Sequence, residues 1–325
     1  MTEINVTGLV FAADLGGTHL RGALIEENGH IHSQVKRPTP KSIEPDGVIN
    51  ALVEAVDELK PDEAYRVVAA SIAVPGTVDK CNKTVVQAPN LSALDDFPLK
   101  QALEDRLHLP VLLENDANAA AVGEMWLGAA RGARNIICVT LGTGVGGGII
   151  LDGKLWRGTY GSAGELGHTS VDPFAGPECK CGNKGCLEMF ASATAIVRMT
   201  REALNNYPET ILKDGEFSAG KVYEAGKQGD RLALEVFRKV GVYLGVGLAN
   251  LINVLGPEVV VIGGGVANGW SLFESAMKEQ VLKRAFPSLT PVVEIKLAKC
   301  GDNAGLLGAA HLAWTSQLNG RTPID

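Results

Sequence analysis

The chain opens two of its stretches in the same way. An apolar run from Gly8 to Ala13 ends in Asp14-Leu-Gly16-Gly17-Thr18, a second run from Leu20 to Ile25 follows, and Asn28-Gly29 turns it into Ile31 to Val35. Later, Asn135 to Thr140 ends in Leu141-Gly-Thr143-Gly144-Val-Gly-Gly-Gly148, and Ile149 to Leu151 turns at Asp152-Gly153. Short apolar runs punctuated by glycine turns are strands of a meander, because glycine takes tight-turn dihedrals without steric cost. Two such openings predict an α/β protein of two similar halves. No low-complexity linker separates them, so packed lobes with a hinge are expected.

The rest of the pattern alternates. Helix periodicity covers Gly47 to Leu59, Leu99 to Leu107 and an alanine-rich stretch from 117 to 130, with strands at Val67 to Val74 and Val111 to Leu113 between them. Further helices are expected near 191–204, 217–226, 230–254, 270–284 and 303–314, with strands at Glu258 to Ile262 and Val292 to Lys296.

Composition excludes several classes of function. Of 325 residues, 46% are hydrophobic and only 5% aromatic, which suits aliphatic α/β packing. No apolar run approaches the ~18 residues that span a bilayer, and Met1-Thr-Glu-Ile-Asn-Val lacks the charged start of an export signal, so a cytoplasmic, membrane-free protein is expected. The net charge is −7 and no Lys/Arg cluster interrupts it, which argues against nucleic acid as a partner. Glycine is over-represented, at 39 residues against a usual share of about 7%, and its excess sits in turns after apolar runs, where backbone can approach a ligand.

Gly142-x-Gly144-x-x-Gly147 has the spacing of a dinucleotide fingerprint, but that motif needs a helix after its glycines. Here Ile149-Ile150-Leu151 and an Asp-Gly turn follow, which is a hairpin. A Gly-x4-Gly-Lys-[Ser/Thr] loop is absent. Each glycine turn alone could be no more than a tight hairpin. Two of them, each with a threonine (Thr18 and Thr143), joined by Gly263-Gly264-Gly265 where a strand feeds a helix, favour backbone amides converging on the phosphates of a nucleotide.

Asn115-Asp116 falls where a strand ends and a helix starts. Aspartate there is commonly an N-cap, yet in a cleft it could take the proton of a substrate hydroxyl while Asn115 binds another. Glu165 and His168 stand at i and i+3, a spacing that puts both on one face of a helical turn, where both could meet a polyol. His168, Cys179, Cys181 and Cys186 lie within a glycine-rich segment that ends at Glu188. Three thiols and an imidazole match the ligand set of a structural zinc site, and in a chain expected in the cytoplasm such a cluster favours metal over disulfides. Zinc here would fix His168 and Glu188 together as a wall of a substrate pocket.

Together these elements resemble the ROK family of sugar kinases. The likeness runs from Asp14 to Trp314 through Asp14-Leu-Gly-Gly-Thr18, Pro89-Asn90-Leu91, Glu114-Asn-Asp116-Ala-Asn-Ala-Ala, Leu141-Gly-Thr-Gly-Val-Gly-Gly-Gly148, Gly164-Glu-Leu-Gly-His168 and Cys179-x-Cys-Gly-x-x-Gly-Cys186-Leu-Glu188. The resemblance implies an actin-like ATPase (ribonuclease H-like) fold with two lobes around a cleft: residues 1–116 as a small lobe completed by a C-terminal helix at 303–318, and residues 117–302 as a larger lobe carrying the zinc loop 168–188. It further implies ATP as co-substrate with Mg²⁺, a structural Zn²⁺, and a homodimer or larger assembly. Asp116 would be the general base toward the 6-hydroxyl of a hexose. Gly76, Asn90, Asn115, Glu165, His168 and Glu188 would hold the sugar. Gly16, Gly17, Thr18, Thr143 and Gly144 would contact phosphates, Gly264 and Gly265 the adenosine, and Asp14 the hydrated Mg²⁺. His168 would turn one ring nitrogen to zinc and the other to sugar.

Within the family, Pro89-Asn90-Leu91 and Cys186-Leu-Glu188-x-x-Ala191-Ser-Ala-Thr194 most resemble the bacterial glucokinases. Kinases of N-acetylmannosamine, N-acetylglucosamine or fructose share most of these motifs. Other members are sugar-responsive repressors with a DNA-binding domain ahead of the first glycine turn, and 13 residues before Asp14 are too few for one. A non-catalytic sugar-binding module is disfavoured by the intact Asp116 and both glycine turns.

Overall fold

The computed structural model describes residues 7–41, 44–79, 81, 83–88, 91–213 and 217–318. Strands β1 (Thr7–Leu15), β2 (His19–Ile25) and β3 (Ile31–Pro38) precede helix α1 (Pro45–Glu58), β4 (Tyr65–Val74), β5 (Thr77–Val78), β6 (Val85–Gln87), α2 (Leu99–Leu107), β7 (Val111–Asn115) and α3 (Asp116–Trp126). Then come β8 (Ile136–Leu141), β9 (Val145–Leu151), β10 (Lys154–Leu155), α4 (Glu188–Ala191), α5 (Ala193–Ala203), α6 (Ala219–Lys227), α7 (Arg231–Leu255), β11 (Val259–Gly263), α8 (Trp270–Arg284), β12 (Glu294–Leu297) and α9 (Ala304–Leu318). Among the described residues no helix is long and apolar enough to cross a membrane.

The repetition in the sequence becomes repetition in topology. One five-stranded sheet has the order β3-β2-β1-β4-β7 and a second five-stranded sheet β10-β9-β8-β11-β12, so each places its first strand at the centre, while β5 and β6 pair by themselves. In the first, β1 pairs antiparallel with β2 and parallel with β4, and β4 parallel with β7. In the second, β11 lies parallel to both β8 and β12.

The chain forms two compact units. The first comprises residues through Arg134 with Gly148–Gly164 and the segment from Lys299 onward, and the second comprises Asn135–Gly147 and Glu165–Ala298. A division at 116 is therefore not the one the fold makes, because α3 belongs with the first unit, where it lies against α9. Gly123 and Gly308 let the two backbones approach more closely than any β-carbon allows.

In the first unit β1 is buried on both faces, as a central strand flanked by helices on each side must be. Leu9, Phe11, Ala13 and Leu15 pack with Val48, Leu52, Leu99 and Leu103 of α1 and α2. Val10 and Ala12 pack with Leu306, Ala309, Ala310 and Ala313 of α9. This core holds the ends of β1 and β7, from which Asp14 and Asn115 emerge.

The predicted helix over 117–130 ends early, at Trp126. The side chain of Glu124 takes over as acceptor for the Ala129 amide at 2.7 Å and for those of Lys299 and Cys300 at 3.1 and 2.7 Å, so the chain peels off around a buried carboxylate. The last strand starts at Glu294 rather than Val292.

Candidate active site

In the first unit the site is built around the junction of β7 and α3. Asn115 is the residue that caps α3, its Oδ1 accepting the Asn118 amide at 3.0 Å. The capping role that a junction aspartate commonly takes thus falls to its neighbour, and Asp116 begins the helix proper. Asn115 Nδ2 donates to Asp116 Oδ1 at 3.2 Å and to the Gly76 carbonyl at 2.9 Å, while Asp116 Oδ1 also accepts the Ala117 amide at 2.8 Å. The structure thus brings Gly76, Asn115 and Asp116 into one hydrogen-bonded set. Gly76 has φ +102°, and a β-carbon there would run into the Gln87 carbonyl, so glycine is required for β4 to turn past β6 and present that carbonyl. Asn90, with Pro89, lies outside the described residues.

Asp14 closes β1 just before the first glycine turn. Burial pushes its carboxyl above the usual range, the Arg21 guanidinium at 3.7 Å pulls it back only in part, and Asp302 adds to the rise. A bound cation would stabilise the ionised form of such a buried carboxylate, which is the role expected of Asp14 toward Mg²⁺. The turn itself is clamped by a residue not identified in the sequence: Thr39 Oγ1 donates to the Gly16 carbonyl at 2.6 Å, and the Thr39 amide to the Thr18 carbonyl at 2.9 Å.

The second unit holds the other glycine turn and the sugar-facing candidates. The Gly142 amide donates to the Gly144 carbonyl at 2.9 Å, the Ala193 amide to the Gly142 carbonyl at 2.8 Å, and Thr194 Oγ1 to the Thr143 carbonyl at 2.9 Å. Glu188, at the start of α4, accepts the Val145 amide at 2.9 Å, and its carboxylate occupies the space a side chain at Gly144 would need. A predicted sugar ligand and a predicted phosphate contact are therefore immediate neighbours. Gly264, at φ +86°, packs on the end of β8 at Leu141, whereas a β-carbon on Gly265 would meet open space. Packing demands glycine at the first position and leaves the second open to a ligand.

Glu165 and His168 sit on a 3-10 turn, Leu166–His168, led by Glu165 rather than on an α-helical face. His168 Nδ1 lies 3.7 Å from Cys179 Sγ, and its Nε2 lies 4.0 Å from Glu165 Oε2. One ring nitrogen thus points into the cysteine cluster and the other toward the polyol candidate.

The four candidate metal ligands, His168, Cys179, Cys181 and Cys186, have donor atoms within 4.8 Å of one another. Cys181 and Cys186 Sγ are 3.6 Å apart. Zinc–sulfur bonds of about 2.3 Å in a tetrahedron set sulfurs about 3.8 Å apart, so the cage fits zinc. Burial pushes the Cys186 thiol up to about 12, reinforced by hydrogen bonds with Cys181 and Cys179, while the Asn183 backbone holds Cys181 below its ordinary value. A divalent cation would offset the repulsion of three thiolates at such spacing. The loop is knitted by backbone hydrogen bonds, Cys179 to Asn183 at 2.8 Å and Leu187 to Thr169 at 2.9 Å. Of the remaining cysteines, Cys300 is driven by burial, and then by Glu124, up to about 12, which leaves it a neutral thiol.

With this geometry in view, the sequence model of the ROK family matches residues 10–316. The chain belongs to the ROK family. Among its ROK relatives, the glucokinase of Halalkalibacterium halodurans is 37% identical over 92% of this chain and 93% of its own length. The xylose repressor of Bacillus spizizenii is 31% identical over 94% of this chain and 77% of its own. The solved structure of a ROK glucokinase from Streptomyces griseus, in complex with glucose and AMPPNP, superposes with a TM-score of 0.82 at 38% identity, covering 95% of this chain and all of that one. The fold is accordingly the actin-like ATPase fold of the ROK kinases.

Proposed function

We propose that this ROK protein is a hexokinase-type phosphotransferase that moves the γ-phosphoryl group of ATP to the 6-hydroxyl of a hexose, with glucose as its preferred sugar. The observation that carries this reading is the division of labour at the start of α3, where Asn115 caps the helix and also holds the Asp116 carboxylate beside it. In the reaction Asp116 accepts the proton of the 6-hydroxyl as its oxygen attacks phosphorus, and the bond from phosphorus to the bridging oxygen of ADP breaks. Asn90, Asn115, Glu165, His168 and Glu188 hold the remaining hydroxyls. The amides and hydroxyls of Gly16, Gly17, Thr18, Thr143 and Gly144 take the phosphates, and Gly264 and Gly265 the adenosine. Asp14 would hold hydrated Mg²⁺, which supplies charge neutralisation at the phosphates. Such catalysis is positioning and electrostatics rather than covalent chemistry, which suits a site made largely of fixed backbone groups.

Zinc, held by His168 and the three cysteines, is structural in this scheme, orienting His168 and, through Leu187, Glu188. The relatives also include sugar-responsive repressors, so a regulator that binds sugar without turnover is the second reading. Greater likeness to the glucokinases, over a larger share of their length, favours the kinase. A coupled assay with ATP, Mg²⁺ and a hexose panel decides. Glucose should be turned over best. No turnover of any hexose sinks the kinase, and preference for an N-acetyl sugar or fructose sinks the choice of glucose.

A further inference from the structure

Arg157 has no part in the machinery described above, yet it makes one of the best-buried ion pairs in the first unit. It sits on the loop between β10 and Glu165, and its Nε and Nη2 each reach Glu114 Oε2 at 2.7 Å. The Glu114 side chain is only 5% exposed. Its other oxygen, Oε1, accepts the Asn115 amide and Asn118 Nδ2, both at 3.0 Å. Asn118 in turn donates its own amide to the Asn115 cap. The two groups that fix Asn115 from behind are thus both tied to Glu114, and Asn115 passes the constraint on to Asp116 Oδ1 and to the Gly76 carbonyl.

A guanidinium gripping one carboxylate oxygen through two N–H groups fixes where that carboxylate points, which a point charge does less well. The loop closes on its anchor, the Ala163 amide donating to the Arg157 carbonyl at 3.0 Å. We infer that Arg157, acting through Glu114, is a positioning residue for the Asn115–Asp116 pair, so that the loop after β10 sets the geometry of the base. This rests on the proposed kinase reading. Among the described residues the hydrogen bonds of the Glu114 side chain run to Arg157, Asn115 and Asn118, behind Asp116 and away from the Gly16–Thr18 turn, so the effect should fall on sugar chemistry and not on the nucleotide.

The test is steady-state kinetics of Arg157→Lys, which keeps the charge and loses the two-point grip, beside Glu114→Gln, Asp116→Asn and the double variant Arg157→Lys/Asp116→Asn. Folding is followed by circular dichroism and thermal melting. Misplacing a catalytic group by an ångström can cost about 10²-fold in rate, so Arg157→Lys should lose 10- to 100-fold in kcat at unchanged KM for ATP. Adding it to Asp116→Asn should cost nothing further, because both act through one group. An additive loss in the double variant, or wild-type kcat in folded Arg157→Lys and Glu114→Gln, overturns the inference while leaving the kinase intact. A wild-type protein that phosphorylates no hexose overturns both.

Discussion

Asn115 donates its side-chain amide to the carboxylate of Asp116 at 3.2 Å while its own oxygen caps the helix that Asp116 begins. One residue thereby discharges the structural duty of the junction and orients the chemical one. This separation makes Asp116, the proposed base, replaceable without dismantling the helix end.

Asp116→Ala should therefore fold with a melting temperature close to wild type and still bind sugar, but lose turnover by roughly 10³-fold, within the usual span for removing a general base. Asn115→Ala should behave in the opposite sense, losing about 1 kcal/mol of stability with the cap as well as sugar affinity. Melting curves and kcat/KM for the two variants separate these effects; near-wild-type kcat in Asp116→Ala rules out the base.

The cysteine cage leads to a prediction about metal content. Elemental analysis of the purified protein should give about one zinc per chain. Cys181→Ser should lower it, with a rise in KM for the sugar, because His168 and Glu188 lose their brace. Prolonged chelation should do the same and be reversed by added zinc. A metal-free protein with full activity and stability would contradict the cage.

Gly76→Ala probes the backbone behind Asn115. At φ +102° a β-carbon is strained and collides with the Gln87 carbonyl. The strain alone costs about 1–3 kcal/mol, and relieving the collision must displace the carbonyl that Asn115 holds. A lower denaturation midpoint together with a higher KM for sugar is expected; a stable variant with unchanged KM would show that the turn tolerates a side chain.

Local features of this site were legible in the sequence, and distant ones were not. The four candidate metal ligands and the strand-to-helix junction at 115–116 announce themselves by residue type and short spacing. Thr39, which clamps the first glycine turn, acts across 23 residues, and the bond from Arg157 to Glu114 spans 43. Neither lies in a motif, since a threonine or arginine in a loop is ordinary until the fold brings its partner near. The end of α3 was hidden for the same reason. Residues 127–130 carry helical composition, but Glu124 also serves amides 175 residues further on, so a tertiary contact set the boundary. The division into units was misplaced because the closeness of Gly123 to Gly308 has no trace in either local sequence.

The second unit offers a pH-dependent prediction away from the site. Asp230 caps α7 and accepts the Ala233 amide at 3.0 Å, the Ile211 amide at 2.8 Å and Thr210 Oγ1 at 2.8 Å. Burial alone would raise its carboxyl, but these bonds outweigh burial and hold it below the ordinary value. A group whose pKa is depressed by folding stabilises the native state above its unfolded pKa, about 3.9 for aspartate, and loses that contribution as the pH falls through the folded value. Asp230→Ala should accordingly be less stable than wild type by about 2 kcal/mol at pH 7, with the buried Thr210 left without its acceptor. The gap should narrow below about pH 4. Urea titrations of both proteins from pH 7 to pH 3 read it directly, and a gap that stays constant to pH 3 would show that the ionised form of Asp230 adds nothing to the cap.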